Sequence, residues 1–247
     1  MDQKNKNLEV IHQIIKNRIK NVESIRGKGE VNRVYIVQIE NKSVVVRLNN
    51  ESEISRFKKE EWCMNKAIEL NIPSPHVLDI GVNNNSAFMI LDFIPGLNGE
   101  EIIKDESYIW KKLGSYAKKI HSVTTNGFGE TFTRKGEFND TWERYITYNI
   151  DFLNEKDKLL SMNVLTLSDS KKVRNLFLGL LEKQFKFGLT HGDLSLANII
   201  VENEKITLID WGSAESTIVP HFEIIGIFED SFSEDSSFLM TSLQDMK

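Results

Sequence analysis

The sequence of 247 residues contains a single cysteine and only four prolines. It has no apolar run near the ~20 residues that a membrane-spanning helix requires. The lone Cys63 excludes an intramolecular disulfide framework and suits a reducing cytosol. It falls within a helical pattern, where a packing role is expected. The opening "MDQKNKNLEVIHQIIKNRIK" lacks the apolar core and small-residue cleavage site of a signal peptide. A cytoplasmic protein without a membrane partner is therefore expected. Positive charge is also short: 31 Lys and Arg face 36 Asp and Glu, a formal net charge of −5. That balance argues against nucleic acid as a partner and accommodates a neutral or cationic small molecule more easily. Nothing in it indicates an oligomeric state.

What is present is an ordinary globular composition, 40% hydrophobic and 27% charged. The length suffices for one large domain or for two lobes around a cleft. An N-terminal amphipathic helix is expected, with Leu8, Ile11, Ile14, Ile15 and Ile19 on one side. Alternation and β-branched residues make "VNRVYIVQIE" and "SVVVRLNN" a hairpin, with a further strand around "VESIRG". "ESEISRFKKEEWCMNKAIELN" has helical periodicity and stops at "IPSP". "HVLDIGV" and "AFMILDFI", joined by "NNNS", form a second hairpin.

"PGLNGEE" reads as a hinge, and beyond it the character changes. "YIWKKLGSYAKKIHSV", "TWERYITYNIDFLN" and "KKVRNLFLGLLEKQF" are helical patterns, with "GFGETFTRKGEFND" as a glycine-rich loop between the first two. The expected fold class is α+β and bilobal. Residues 1–95 would form a small antiparallel-sheet lobe with one helix, and residues 96–247 a mainly helical lobe.

The chemistry concentrates in "LTHGDLSLANIIVENEKITLIDWG", residues 189–212. Acidic groups are costly among apolar strands unless they bind something. Here His191, Asp193, Leu194 and Asn198 form His-x-Asp-Leu-x-x-x-Asn, and the hairpin "NIIVE"–"NEK"–"ITLID" returns to Asp210. This is the spacing of the catalytic loop and metal-binding Asp of the kinase fold. Phosphoryl transfer needs a carboxylate beside the acceptor hydroxyl and oxygen ligands for Mg²⁺ nearby. Asp193 can be that carboxylate, with Asn198 and Asp210 as metal ligands. His191 is expected to brace the loop, since Asp193 already fills the role of base.

"HGDLSLAN", "LIDWG" and the two-lobe order resemble the aminoglycoside phosphotransferase and choline kinase group, the small-molecule branch of the kinase-like fold. Gly192 in place of Arg, and Trp211 in place of Phe, point to that branch rather than to protein kinases. The resemblance extends over roughly residues 22–223. It implies transfer of the γ-phosphate of ATP or GTP, with Mg²⁺, to a hydroxyl of an aminoglycoside-like or other small cationic acceptor. It also implies further site residues. Gly27 and Gly29 in "RGKGEVNRVY" would let a loop cover the phosphates. Arg47 stands where most kinases carry Lys and keeps the charge in a forked geometry. Its partner would be Glu60, with Glu61 second, while Lys58 and Lys59 look like a solvated face. "FMILDFIPG" would hold the base, with Leu91 limiting the pocket and the backbones of Asp92 and Ile94 pairing with it.

Acidic residues beyond Asp210, namely Glu215, Glu223, Glu229, Asp230, Glu234 and Asp235, suit either a cationic acceptor or a solvated tail. Glu223 also stands where the resembling families place a structural acid. So little chain follows Asp210 that the helices walling the acceptor site are expected to be incomplete, either because that lobe is naturally short or because the chain is truncated. A protein kinase is disfavoured, because no Ala-Pro-Glu and no long activation segment follow Asp210. The remaining alternative is a catalytically weak or inactive nucleotide-binding protein.

Overall fold

The computed structural model describes residues 3–16, 18–25, 33–40, 42–102, 106–134, 136–154 and 156–224. Its N-terminal part runs α1 (Gln3–Ile14), β1 (Ile19–Ile25), β2 (Arg33–Ile39), β3 (Lys42–Asn50), α2 (Ile54–Glu69), β4 (Val77–Asn83) and β5 (Ser86–Asp92). The strands form one antiparallel sheet in the order β1-β2-β3-β5-β4. Both expected hairpins are present, with Val34 opposite Arg47 and Gly81 opposite Phe88. The N-terminal helix is shorter than its apolar spacing suggested. Ile19 is not on it but opens β1 opposite Ile39.

Strand period explains how this sheet is buried on both faces. Tyr35, Val37, Ile39, Val44, Val46 and Leu48 point to one side, where they pack with Val10, Ile11 and Ile15. Along β5, Phe88 and Ile90 join that cluster, while Ala87, Met89 and Leu91 face the opposite side, with Phe57, Cys63, Met64 and Ala67 of α2. Because Arg47 alternates with Val46 and Leu48, β3 turns it toward α2. Cys63 is fully buried, and burial pushes its thiol well above the usual range. Packing, not reactivity, is its role.

The chain continues through β6 (Leu97–Asn98), α3 (Glu106–Ile120), β7 (Phe128–Arg134), β8 (Glu137–Asp140), α4 (Trp142–Phe152), α5 (Lys158–Ser161) and α6 (Leu167–Leu181). Four short strands follow: β9 (Phe187–Thr190), β10 (Ile199–Glu202), β11 (Lys205–Leu208) and β12 (Glu215–Ile218). Thr141 caps α4, and Thr166 with Asp169 forms a capping box on α6. Two further small sheets form, β11-β10-β6 and β8-β7-β12-β9. Among the described residues no helix is long and apolar enough to cross a membrane.

The expected glycine-rich loop at residues 127–140 is instead the β7–β8 hairpin. Its glycines mark the tight spots and its phenylalanines the packing. Phe132 and Phe138 place their rings 5.5 and 6.3 Å from that of Trp62 on α2. Gly136, at φ +84°, sits so close that a Cβ there would lie 2.8 Å from the Trp62 ring. The hairpin therefore holds α2 from the side opposite the sheet.

Candidate active site

The β10–β11 hairpin places the first candidate ligands. Ile199 pairs with Leu208, and the Ile209 N–H donates to the Asn198 carbonyl at 2.9 Å. Asn198 is thereby fixed beside the residue that precedes Asp210. The Asn198 amide nitrogen donates to the Asp193 backbone carbonyl at 2.9 Å and to its carboxylate Oδ2 at 2.7 Å. With its NH₂ committed there, the amide has its oxygen left for other partners. The exposed Asp193 carboxylate is oriented by the same bond.

Asp210 lies just past β11 in the left-handed region, at φ 55° and ψ 70°. That conformation is uncommon for a residue with a Cβ and marks a position held by its surroundings. The surroundings are specific. Trp211 is fully buried, and its indole N–H donates to Ser74 Oγ at 3.1 Å. His191 Nε2 donates to the Ile209 carbonyl at 3.0 Å, and its ring lies 4.7 Å from that of Trp211. A fully buried His191 in these contacts braces the loop. Gly192, at φ +80°, allows the turn to close, since a Cβ there would come within 2.1 Å of the Ser213 carbonyl. No side chain, Arg included, fits that spot.

From the other side, Arg47 reaches both acidic groups. Its guanidinium makes a forked contact with Glu60, Nη1 to Oε2 and Nη2 to Oε1, and Nη2 also lies 3.4 Å from Asp210 Oδ1. Glu60 is 1% exposed. Burial pushes its carboxyl up from the usual range, and the Arg47 charge opposes that push. Glu61, the second candidate partner, is only half-buried, and the pair is made with Glu60. Half of the Asp210 side chain remains accessible.

The arrangement brings Arg47, Glu60 and Asp210 into one chain of contacts and Asp193 and Asn198 into another, joined at Ile209. Leu91 is buried on the α2 side of β5. The Asp92 N–H donates to the His76 carbonyl at 3.0 Å. Ile94 follows at the half-buried hinge. A cavity of about 590 Å³ is lined by Asp92 and Ile94 together with Ile72, Ser74, His76 and Thr207. Gly27 and Gly29 lie outside the described residues, as do Glu229, Asp230, Glu234 and Asp235.

Two features were not read from the sequence. Lys59, assigned to a solvated face, is 2% exposed, and its ammonium donates to the carbonyls of Gly212 at 3.1 Å and Ala214 at 2.7 Å. The signal was present: Lys59 stands four residues before the buried Cys63, on the inward face of α2. The second is His121, whose Nε2 lies 3.3 Å from Glu223 Oε2. Glu223 accepts the backbone N–H groups of His191 at 2.9 Å and Gly192 at 3.1 Å, so this acid braces the loop. Glu215 is pushed up to about 7 by burial and by the negative charge of Glu130. Neither acid is disposed as a free anion awaiting a cation.

The donor set suits Mg²⁺, which is held by one or two carboxylates and completes its shell with water and substrate phosphates. Among the described residues no group of three or more His, Cys, Asp or Glu side chains could hold a metal unaided. Asp210, the Asn198 amide oxygen and an incoming polyphosphate would suffice.

Comparisons with known proteins give the family and the fold. A Staphylococcus aureus protein described as an uncharacterized protein in the ileS 3' region is 28% identical over 116 residues, 46% of this chain and 87% of its own. The fold matches a thermostable mutant of aminoglycoside phosphotransferase APH(4)-Ia, solved in ternary complex with AMP-PNP and hygromycin B. That match has a TM-score of 0.70 at 20% identity, over 89% of this chain and 75% of that one. It also matches amicoumacin kinase hAmiN, solved with AMP-PNP, Ca²⁺ and Ami, with a TM-score of 0.67 at 12% identity over 99% and 76% of the two chains. The family model for the phosphotransferase enzyme family, APH, matches residues 23–240. With nearly its whole length covered by that model, the chain belongs to the phosphotransferase enzyme family.

Proposed function

We propose that this chain is a small-molecule kinase that transfers the γ-phosphate of ATP or GTP to a hydroxyl of a small acceptor, with Mg²⁺ as the metal. The observation that carries the reading is the tie between the two halves of the site. Asn198 binds Asp193 through its side chain and the Asp210 strand through its backbone, and Asp210 in turn meets the Arg47–Glu60 pair. Mg²⁺, when bound, would neutralise the charge that develops on the phosphates during transfer. Asn198 and Asp210 would hold it, and Arg47 would grip the phosphates next to it. The Asp193 carboxylate would accept the acceptor's hydroxyl proton, with Asn198 fixing its rotamer. The Asp92 carbonyl and the Ile94 N–H would pair with the base. Residues 1–95 and 96–247 would then be the two lobes.

An amino-sugar acceptor is favoured by the neighbouring aminoglycoside phosphotransferase solved with hygromycin B. The acidic residues Glu215 and Glu223 do not add to that preference, since one is pushed toward neutrality and the other is committed to the loop. Incubation of the full chain with γ-labelled ATP or GTP, Mg²⁺ and a panel of aminoglycosides and other amino sugars tests the reading. Label should appear on an acceptor hydroxyl. Label on protein instead would overturn the small-molecule assignment. Nucleotide binding without transfer to any acceptor would favour a nucleotide-binding protein.

A further inference from the structure

Lysine is almost never fully buried unless its charge is met, and a methionine of similar length would fill the same space without desolvation. Lys59 is nonetheless 2% exposed on α2, with burial lowering its pKa. Its ammonium spends two donors on one short stretch, the carbonyls of Gly212 and Ala214. Those carbonyls belong to the turn that begins at Asp210, whose backbone is left-handed. The next residue of the same helix, Glu60, holds Arg47, and Arg47 reaches the Asp210 carboxylate. One turn of α2 therefore grips the metal-ligand segment twice, through its backbone by Lys59 and through its side chain by Glu60 and Arg47. Trp62, three residues on, is packed against Phe132 and Phe138, so the helix carrying both grips is itself held.

We propose that Lys59 is a positioning residue for Asp210, setting the backbone of the metal-binding turn so that the carboxylate is presented to the metal on a bound nucleotide. The proposal rests on the kinase reading and adds to it a residue outside the catalytic motif. It makes α2 the common support of the phosphate grip and the metal ligand. Displacing the helix would disturb both together. Removing the ammonium alone would free only the turn.

The test compares AMP-PNP affinity of the full chain with Mg²⁺ and with EDTA, by calorimetry, for wild type, Lys59→Met and Lys59→Arg. Supporting residues around metal ligands typically change metal affinity by roughly 10–100-fold when removed. Lys59→Met should lose about that much of the Mg²⁺-dependent affinity, while the EDTA value stays within about twofold. Lys59→Arg, which keeps the charge and the donors, should recover part of the loss. Binding of Mn²⁺–AMP-PNP, followed by electron paramagnetic resonance, should weaken in parallel. If Lys59→Met is not recovered folded, Lys59→Gln should show an intermediate loss. An unchanged Mg²⁺ response would overturn the proposal. So would parallel losses with Mg²⁺ and EDTA together with a lower melting temperature, which is what a purely structural role gives. Wild-type protein that binds AMP-PNP with no response to Mg²⁺ would instead overturn the kinase reading, and the proposal with it.

Discussion

Asp193→Asn should lower turnover by at least about 10²-fold, the usual loss when a positioned base is removed, while Mg²⁺–nucleotide affinity stays unchanged. The separation follows from the contacts. Asparagine keeps an oxygen at the position that accepts the Asn198 amide at 2.7 Å, so the loop and the metal ligands should hold their places. Only the capacity to take a proton is lost. Steady-state kinetics with a saturating acceptor, beside a nucleotide titration, checks both halves. Turnover equal to wild type would remove Asp193 from the role of base. Loss of nucleotide binding would make it part of the metal site instead.

Arg47→Met should produce the largest change in stability. It leaves the Glu60 carboxyl, 1% exposed, without the guanidinium that meets both of its oxygens. Breaking a buried pair on one side costs about 3–5 kcal/mol. At roughly 2–4 °C per kcal/mol for a chain of this size, the melting temperature should fall by about 10 °C. The deficit should depend on pH with a definite sign. Without Arg47, the folded-state pKa of Glu60 rises further above its unfolded value, so the folded state binds the proton more tightly. The variant's deficit should therefore be smallest at acid pH and grow as pH rises through the folded pKa. Arg47→Met combined with Glu60→Leu should regain most of the stability without regaining nucleotide affinity. A single variant that melts within about a degree of wild type would show that the pair does not support the cleft.

Much of this was legible in the sequence because it was local. The hairpins of β2–β3, β4–β5 and β10–β11 follow from alternation and turn residues, and α2 from its period and its stop at Pro73. The loop motif fixes its own geometry, since Asn198 stands five positions after Asp193 and a short hairpin sets Asp210. Less legible was whatever depended on distant partners. The β7–β8 hairpin looked like a loop because its glycines and charges mask Phe128, Phe132 and Phe138, whose partners lie on α2, α4 and β9. Strands β9 and β12 are joined by no turn that would mark them, and pair with one another across distant sequence, Thr190 opposite Glu215. Ile19 continued the helical spacing of α1 but was captured by Ile39 of the sheet. Lys59 read as solvated because charge usually is. Its two carbonyl partners lie more than 150 residues away.

The most direct test of the site is calorimetric titration of AMP-PNP, with and without Mg²⁺, into wild-type protein and into Asp210→Ala. Wild-type protein should require Mg²⁺ for tight binding, and the variant should lose that requirement together with most of the affinity. Equal binding by the two proteins in the presence of Mg²⁺ would contradict the assignment of Asp210 as the ligand that holds the nucleotide's metal.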